Sequence, residues 1–274
     1  MKVLVVGGSG FLGGELVRQS TAAGDDVVAT YRSRPGSLDG ADWRPLDIRR
    51  REDVATLTDA VRPDVVVNAA YVQADWATTA DGAANVALAA AAAGARLVHV
   101  SSDAVFSGAA VHYDEASVPD PVNAYGAAKA AAETVVRAVV PRAVIARTSL
   151  ILGDGGSPQE RFVHDVATGR RDGVLFTDDI RCPVHVADLA AALLELAASD
   201  RSGIHHVAGS DAVSRYELGV LVAQRDGLDA AVLRTGTRAA SGPPGPLDVR
   251  LDCRETQRRL RTRLRGAREF LACG

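Results

Sequence analysis

The stretch GGSGFLGG, residues Gly7–Gly14, follows directly on the short apolar run Lys2–Val6. Within it, Gly7, Gly10 and Gly13 have the spacing G-x-x-G-x-x-G. Between a strand and a helix, such glycines let backbone amides and the helix N-terminus face a pyrophosphate without a Cβ in the way. The alternative is an ordinary tight turn that requires positive φ. Because the glycines lie between a predicted strand and a predicted helix, they favour dinucleotide binding.

Valine-rich runs and longer alanine- and leucine-rich segments alternate along the first 150 residues. The predicted strands are Lys2–Val6, Asp26–Tyr31, Asp64–Asn68, Arg96–Ser101 and Ala143–Arg147, with a shorter strand that ends near Asp47. The predicted helices are Phe11–Ala23, Arg51–Val61, Ala80–Ala93 and Ala124–Val139, the last with Asn123 as its N-cap. This alternation predicts an α/β fold with a doubly wound parallel sheet of the Rossmann type, with ligands at the carboxyl ends of the strands.

The regular alternation ends after Leu150. The segments Asp188–Ala198 and Ile204–Gly209 predict one more helix and strand that return to the sheet. We therefore expect residues 1–150, with 183–209, to form a dinucleotide-binding domain. Residues 151–182 and 210–274 are expected to form a smaller substrate-binding lobe.

Three segments of this second part have distinct compositions. Ser214–Gln224 has a helical pattern, and the proline- and glycine-rich stretch Ser241–Pro246 is typical of a linker. The arginine-rich tail Arg250–Arg268 predicts a solvated helix face. The alternative for the tail is that one or two of its arginines reach a substrate diphosphate.

Composition excludes several classes of function. The chain has 274 residues and a formal net charge of −3, which gives no reason to expect nucleic acid or an anionic membrane as a partner. The longest apolar run, Val86–Ala93, is too short to span a membrane. The cysteines Cys182, Cys253 and Cys273 are odd in number and lack metal-ligand spacing, so we expect a reduced cytoplasmic protein without a metal. A homodimer is an open possibility for its assembly.

The segment NAYGAAK, Asn123–Lys129, contains one of the two lysines, Lys2 and Lys129, among 31 basic residues. Tyr125 lies four residues before Lys129, so both side chains share one helix face. A tyrosine titrates near pH ~10 and becomes a useful acid only where a cation stabilises its anion. Ser102 lies at the carboxyl end of the strand before this helix and is placed to hydrogen-bond a reacting carbonyl oxygen. Taken alone, such a residue is more commonly a satisfied strand-end hydroxyl. We expect the three side chains to converge over a nicotinamide ring.

The end of the second strand, TYRSRPG (Thr30–Gly36), carries Arg32 and Arg34 and no carboxylate. A guanidinium here favours a 2′-phosphate and therefore NADPH, whereas an acidic residue would hold free ribose hydroxyls. The alternative is an exposed basic loop. Asp47, in PLDI, is placed either to accept a hydrogen bond from the adenine amino group or to cap the next helix.

Five motifs together resemble one family: GGSGFLG, PDVVVNAAY, SSDAVFSG, NAYGAAK and ARTSLILG. The chain is similar to the extended short-chain dehydrogenase/reductases and, more narrowly, to the dTDP-4-dehydrorhamnose reductase group, from Met1 to about Leu221. The resemblance implies reduction of a keto group on a nucleotide-activated deoxysugar, with NADPH as cofactor and NADH possible. It further implies that Tyr125 donates the proton, that Lys129 orients the ribose and lowers the tyrosine pKa, and that Ser102 polarises the ketone.

The motifs and the resemblance together predict two further sets of site residues. The predicted cofactor-binding residues are Gly7, Gly10, Phe11, Leu12, Gly13, Arg32, Arg34, Asp47, Ile48, Ala69, Ala70, Tyr71, Asn85 and Thr148. Of these, Asn85 and Thr148 match family positions near the nicotinamide half. The predicted substrate-binding residues are Asp103, Val105, Phe106 and Leu150. His185, in CPVHVADLA, matches the family's return segment and is expected to be structural.

Three departures from the family pattern lie on the predicted substrate side. Asp75 is retained, but its usual acidic partner is Thr78; Leu150 stands where the family often has an aromatic residue; and the stretch Ala77–Ala83 is shortened. These departures affect the prediction of which sugar is bound more than the prediction of a keto-group reduction.

The sequence distinguishes a reductase from three alternative classes of protein. Sugar 4,6-dehydratases carry an Asp-Glu pair after the catalytic hydroxyl, whereas Asp103 is followed here by Ala104. Nucleotide-sugar epimerases need the same three catalytic residues, but the short C-terminal half disfavours them. A regulatory subunit that only binds nucleotide would not need Ser102, Tyr125 and Lys129 together.

Overall fold

The computed structural model describes residues 1–241 and 245–272. Its strands, numbered along the chain, are β1 (Lys2–Val6), β2 (Asp26–Tyr31), β3 (Ala41–Pro45), β4 (Val65–Asn68), β5 (Arg96–Ser102), β6 (His112–Tyr113), β7 (Val144–Thr148), β8 (Ile151–Leu152), β9 (Leu175–Phe176), β10 (Ile180–Arg181), β11 (Val184–His185), β12 (Gly203–His206), β13 (Val213–Ser214), β14 (Thr235–Gly236) and β15 (Arg250–Leu251).

The helices connect these strands on both sides of the sheet. They are α1 (Phe11–Ala22), α2 (Arg51–Val61), α3 (Gly82–Ala93), α4 (Ala124–Val139), α5 (Pro158–Ala167), α6 (Val186–Ala197), α7 (Arg215–Arg225), α8 (Arg238–Ser241), α9 (Arg254–Gln257) and α10 (Ala267–Phe270). A π-helical segment, Ala77–Asp81, precedes α3, and single 3₁₀ turns occur at Asp103–Val105 and Ala230–Val232.

The central sheet has seven strands in the order β12-β7-β5-β4-β1-β2-β3, and every neighbouring pair is parallel. Its inner strands are runs of buried β-branched residues; Val65, Val66 and Val67 of β4, for example, are at most 3% exposed. Such runs are typical of strands covered on both faces. All seven carboxyl ends meet at one edge, where ligands of this architecture bind.

Two apolar clusters cover the two faces of the sheet. On one face, α1 and α6 pack together over the strands, with Leu16 and Leu193 fully buried between them. On the other face lie α2, α3 and α4, with Val54 and Val136 in the core. Helices on both faces of a parallel sheet confirm the predicted doubly wound fold.

After β7 the chain leaves the central sheet and returns to it only at β12. Helix α6 and strand β12 complete the sheet by pairing β12 with β7 at its edge. The predicted helix 188–198 and strand 204–209 are therefore present with slightly different bounds. A third apolar cluster gathers α5, α7 and the C-terminal residues around Leu218 and Val222.

Two predicted segments differ from the structure. The helix predicted over Ala80–Ala93 begins as the π-helical segment Ala77–Asp81, in which Thr79 donates its hydroxyl to the carbonyl of Val72 at 2.8 Å. The tail does not form one helix. It runs across α6, where the Glu195 carboxylate accepts the amides of Arg261 and Thr262 at 2.7 and 2.9 Å, so these long-range bonds override the helical pattern.

Two further expectations concern membranes and linkers. Within residues 1–241 and 245–272, no helix is long and apolar enough to cross a membrane. The linker-like stretch Ser241–Pro246 lies partly outside the described residues. Of its described part, Pro246 is held by its carbonyl, which accepts a hydrogen bond from Arg181 at 2.6 Å.

Buried histidines make the stability of this fold sensitive to acid. Burial lowers the pKa of His99 to about 3 and that of His206 to about 4, against 6.5 for a free side chain. The unfolded chain therefore binds more protons than the folded one between pH 6.5 and these values, and stability falls as the pH falls. At pH 5 each histidine costs about 2 kcal/mol.

We therefore expect the free energy of unfolding, measured by urea titration at a series of pH values, to drop steeply between pH 6.5 and 5. His206→Asn should remove about half of this slope, since one of the two main contributors no longer titrates. His112 is exposed and serves as the matched control, because His112→Asn should leave the slope unchanged. A flat stability profile between pH 7 and 5 would contradict the prediction.

Candidate active site

The glycine turn lies at the carboxyl end of β1 and leads into α1. Gly7 has φ +85°, its amide is held by the Thr30 hydroxyl at 3.0 Å, and its carbonyl accepts the Gly10 amide at 3.0 Å. A Cβ on Gly13 would lie 2.0 Å from the Gly7 carbonyl oxygen, so only glycine fits there. No side chain caps the N-terminus of α1. The first amides of α1 are thus available to a phosphate, which fits the predicted dinucleotide.

A cavity extends from the glycine turn along this edge of the sheet. Farther along, it is lined by Arg32, Asp47 and Ile48. The Asp47 carboxylate is gripped by the Arg49 guanidinium, whose Nε donates at 2.9 Å, and this contact lowers the pKa of Asp47 to about 2. Asp47 does not cap α2, whose N-cap is Arg50. The capping alternative for Asp47 is therefore excluded, and Arg49 is a basic residue at this end that sequence reasoning missed.

Two predicted cofactor residues lie outside the cavity. Asn85 donates its amide to the carbonyl of Ile48 at 2.9 Å, so it supports the loop behind Asp47 instead of facing a nicotinamide. Arg34 is exposed and does not line the cavity. The assignment of Asn85 and Arg34 to the cofactor therefore stays a prediction, which the cavity lining does not support.

Ser102, Tyr125 and Lys129 meet at the centre of this cavity, whose volume is about 530 Å³. The Lys129 ammonium is buried and donates to the Val100 carbonyl at 2.9 Å. It also lies 5.1 Å from the centre of the Tyr71 ring, and that ring lies 5.8 Å from the Tyr125 ring. The predicted trio is therefore brought together, with Tyr71 beside it.

The helix that carries Tyr125 begins against the turn that follows Ser102. Asn123 is its N-cap, and its side chain accepts the Gly126 amide at 2.8 Å, as predicted. A Cβ on Gly126 would lie 2.0 Å from the carbonyl oxygen of Ala104. Glycine at this position lets the first turn of α4 approach the Ser102 turn closely, which brings the hydroxyls of Tyr125 and Ser102 to one cavity.

Burial sets the ionisation of these groups. It raises the pKa of Tyr125, with Tyr71 acting in the same direction and a hydrogen bond with Ser102 opposing it. Burial also lowers the pKa of Lys129 to about 8. Burial is the largest cause of the raised tyrosine pKa, and the expectation that Lys129 lowers this pKa stays a prediction. The phenol is held protonated, which is the form that an acid needs.

Most predicted cofactor residues surround this cavity. Those that line it are Gly7, Gly10, Phe11, Leu12, Gly13, Arg32, Asp47, Ile48, Ala69, Ala70, Tyr71 and Thr148. The buried Thr148 hydroxyl has no protein partner among the described residues, and it faces the cavity that the glycine turn opens. The unpaired Thr148 hydroxyl lies at one end of the cavity, and the glycine turn, where a Cβ would clash, lies at the other. Both features fit an extended dinucleotide.

The substrate side of the cavity holds a basic group that sequence reasoning missed. Arg181, Arg215 and Arg238 line it and all reach the buried Asp179, at 3.0, 3.4 and 2.7 Å respectively. Arg181 also approaches Asp103, at 3.6 Å. Three guanidinium groups thus line one wall of the cavity, and guanidinium groups are suited to bind an anionic substrate. The described arginines of the tail 250–268 do not line the cavity.

The predicted substrate residues divide in two. Asp103 and Leu150 line the cavity, and the Asp103 carboxylate accepts the Ser149 hydroxyl at 2.7 Å. Val105 and Phe106 are 0% exposed and lie in a separate apolar cluster. Phe106 stacks on the Tyr113 ring at 4.1 Å. Val105 and Phe106 therefore cannot contact a substrate, because the turn after Ser102 directs them into the core.

A second cavity, of about 300 Å³, opens beside the arginines. Arg215, Arg238, Pro158 and Gln159 line both cavities, so the two adjoin. The remaining lining is largely apolar, with the buried Asp179 as its polar member: Phe162, Val163, Val174, Leu175, Phe176 and Leu218. An apolar slot next to guanidinium groups has room for a flat ring that bears a phosphate chain.

Comparison with known proteins points to one family. The profile described as RmlD substrate binding domain matches residues 1–272. The spore coat polysaccharide biosynthesis protein SpsK of Bacillus subtilis is 32% identical over 247 residues, 86% of this chain and 83% of that protein. The dTDP-4-dehydrorhamnose reductase of Mycobacterium tuberculosis is 30% identical over 262 residues, 89% of this chain and 82% of that protein.

Among solved structures, the dTDP-4-dehydrorhamnose reductase of Bacillus anthracis in complex with NADP superposes with a TM-score of 0.82. It is 24% identical, and the match covers 98% of this chain and 96% of that chain. This likeness establishes the fold.

The parallel sheet, the residues that line the cavity and the family match all indicate the same class of protein. The chain is an NAD(P)-dependent oxidoreductase. More narrowly, it belongs to the RmlD substrate-binding domain family.

Proposed function

We propose that this protein reduces a keto group on a nucleotide-activated deoxysugar, of the dTDP-4-keto-6-deoxyhexose type, with NADPH as the preferred and NADH as an accepted cofactor. The observation that carries the proposal is the meeting of Ser102, Tyr125 and Lys129 in a single cavity between the glycine turn and the arginine group. In this arrangement, one substrate can place its keto group at the catalytic side chains while its phosphates contact the arginine group. The relatives' names support the same substrate class.

The residues of the chain would act as follows. Ser102 and Tyr125 donate hydrogen bonds to the carbonyl oxygen and so polarise the ketone. When bound, NADPH supplies the hydride. As charge develops on the oxygen, Tyr125 transfers its phenolic proton to it, and the product is an alcohol. The Lys129 ammonium stabilises the tyrosinate that remains, and it is placed to hold ribose hydroxyls.

The substrate's nucleotide would lie against the arginine group and extend into the second, largely apolar cavity. Arg181, Arg215 and Arg238 have the charge to pair with a diphosphate, and the second cavity has the lining for a base. We accordingly assign cofactor binding to residues 1–150 with 183–209, and substrate binding to 151–182 with 210–274. The separate apolar cluster around Leu218 supports this division.

The decisive experiment is to follow NADPH oxidation at 340 nm with a panel of nucleotide-linked 4-keto-6-deoxysugars. A reductase consumes one NADPH for each ketone converted. An epimerase would isomerise the sugar with no net loss of NADPH, and a regulatory subunit would do neither. Tyr125→Phe protein provides the background rate. If no member of the panel supported oxidation, the proposed function would be wrong.

Cofactor preference should depend on Arg32. Its guanidinium lines the cavity and can pair with a 2′-phosphate, and such charge-assisted bonds contribute ~1.5–3 kcal/mol, or a roughly tenfold or larger preference. We expect Arg32→Ala to weaken NADPH binding and leave NADH binding nearly unchanged, as measured by fluorescence titration. Arg34→Ala should have a smaller effect, since that side chain lies outside the cavity. Equal affinities for the two cofactors in the wild type, or an unchanged ratio in Arg32→Ala, would refute the assignment.

A further inference from the structure

A buried charge network lies beneath the proposed catalytic residues. Glu133 follows Lys129 by four residues and Tyr125 by eight on α4, so the three side chains share one helix face. Its carboxylate is 3% exposed and accepts the Ser101 hydroxyl at 2.6 Å. The same carboxylate is held by Arg147, which is 0% exposed, through Nε at 3.0 Å and Nη2 at 2.8 Å.

Each member of this network adjoins a residue of the cavity. Ser101 precedes Ser102 on β5, and Arg147 precedes Thr148 on β7. One carboxylate therefore joins α4 to the two strands that bear the other active-site hydroxyls. Arg147 is fixed in turn, since its Nη1 donates to the Ser117 carbonyl at 3.2 Å and its guanidinium lies 4.9 Å over the Phe106 ring.

The surroundings of Lys129 contain little compensating charge. Within the described residues, no carboxylate lies within ion-pair distance of its ammonium, whose hydrogen-bond acceptor is the Val100 carbonyl. The groups that face it from neighbouring elements are His99 on β5, the Tyr71 ring after β4, and Tyr125 and Glu133 on its own helix. Glu133 opposes the effect of burial on the lysine pKa.

We propose that Glu133 is a positioning residue, which docks the catalytic helix onto Ser101 and Arg147 and neutralises the Arg147 guanidinium, so that no second unpaired buried cation lies near Lys129. A buried ion pair adds little net stability compared with apolar side chains, so stability alone does not explain a Glu133–Arg147 pair at this place. Arg147 balances the carboxylate and thereby prevents a free buried anion. The proposal rests on the proposed function of Lys129 in holding the cofactor.

The test is the pH dependence of NADPH affinity, followed by fluorescence without substrate. In the wild type, affinity should fall as the pH rises through about 8, where Lys129 loses its proton. Glu133→Gln keeps the shape and hydrogen-bonding oxygen but removes the charge, and it leaves Arg147 as a second unbalanced cation. The fall should therefore move to lower pH by ~1 unit or more. Binding of 2′,5′-ADP, which lacks the nicotinamide half, should show no such shift.

The double variant Glu133→Gln/Arg147→Met separates charge from packing. Removing both charges restores the balance around Lys129, so the pH dependence should return toward that of the wild type. A purely structural role predicts a defect at least as large as that of the single variant. If Glu133→Gln does not fold, Arg147→Met replaces it in the test: that variant leaves Glu133 as an unbalanced anion, so the fall in NADPH affinity should move to higher pH instead of lower.

Two results would overturn the proposal: a Glu133→Gln protein whose pH dependence matches the wild type, or a double variant with a larger shift than the single one. These outcomes are distinct from failure of the proposed function. That failure would appear as normal turnover in Tyr125→Phe or as no activity on the sugar panel. Cofactor affinity is measured with no sugar present and no turnover, so it is independent of both results.

Discussion

Tyr125→Phe is expected to lose at least ~100-fold in turnover while NADPH binding stays as in the wild type, because the usual contribution of a general acid is of that size. The substitution removes the proton that would pass to the ketone and keeps the ring that packs 5.8 Å from Tyr71. Since burial raises the pKa of Tyr125, the wild-type phenol carries that proton throughout the neutral range. Steady-state kinetics with the best sugar of the panel, beside a cofactor titration, measure both quantities.

Tyr216→Phe is the matched control, since it removes a hydroxyl from a tyrosine that lines neither cavity. Its turnover should equal that of the wild type. If Tyr125→Phe also turned over normally, another group would have to be the acid, and Asp103, a cavity carboxyl whose pKa burial raises, would be the next residue to test.

Lys129→Arg should impair both cofactor affinity and rate although the charge is conserved. The ammonium occupies a buried position between the Val100 carbonyl and the Tyr71 ring. A guanidinium is larger and planar and needs more acceptors than this position offers. Forcing it in costs about 1–3 kcal/mol of strain, so kcat/KM should fall ~5- to 150-fold.

Lys2→Arg supplies the matched control, because Lys2 is the chain's other lysine and its partly exposed side chain pairs with Asp26 at 3.5 Å. That variant should behave as the wild type. Wild-type kinetics in Lys129→Arg would mean that the site does not need a compact cation, and the retention of a lysine there would have no chemical reason.

Local pattern was sufficient to predict the sheet and the glycine turn that lines the cavity. Buried strands, glycine turns and helix caps depend on near neighbours in sequence, so β1, the turn at Gly7–Gly14 and the Asn123 cap follow from short stretches. The convergence of Ser102 with Tyr125 follows from the rule that parallel strands end at one edge.

The substrate side depended on contacts that no local pattern encodes. Arg181, Arg215 and Arg238 are far apart along the chain, and they meet because each reaches the same buried residue, Asp179. The arginine-rich tail attracted attention by composition, yet its arginines pair with nearby carboxylates, as Arg265 does with Asp188 at 2.8 Å. Charge density in the sequence therefore did not locate the arginines that line the cavity.

The late return of β12 to the sheet has a consequence for how this protein is made. The ribosome synthesises β7, which ends at Thr148, well before β12, which begins at Gly203. At ~5–20 residues per second, the nascent chain spends several seconds with an open strand edge on β7 and with α1 not yet covered by α6. Unpaired edges and bare apolar faces of this kind invite aggregation, so during those seconds the emerging chain is a natural client for chaperones at the exit tunnel.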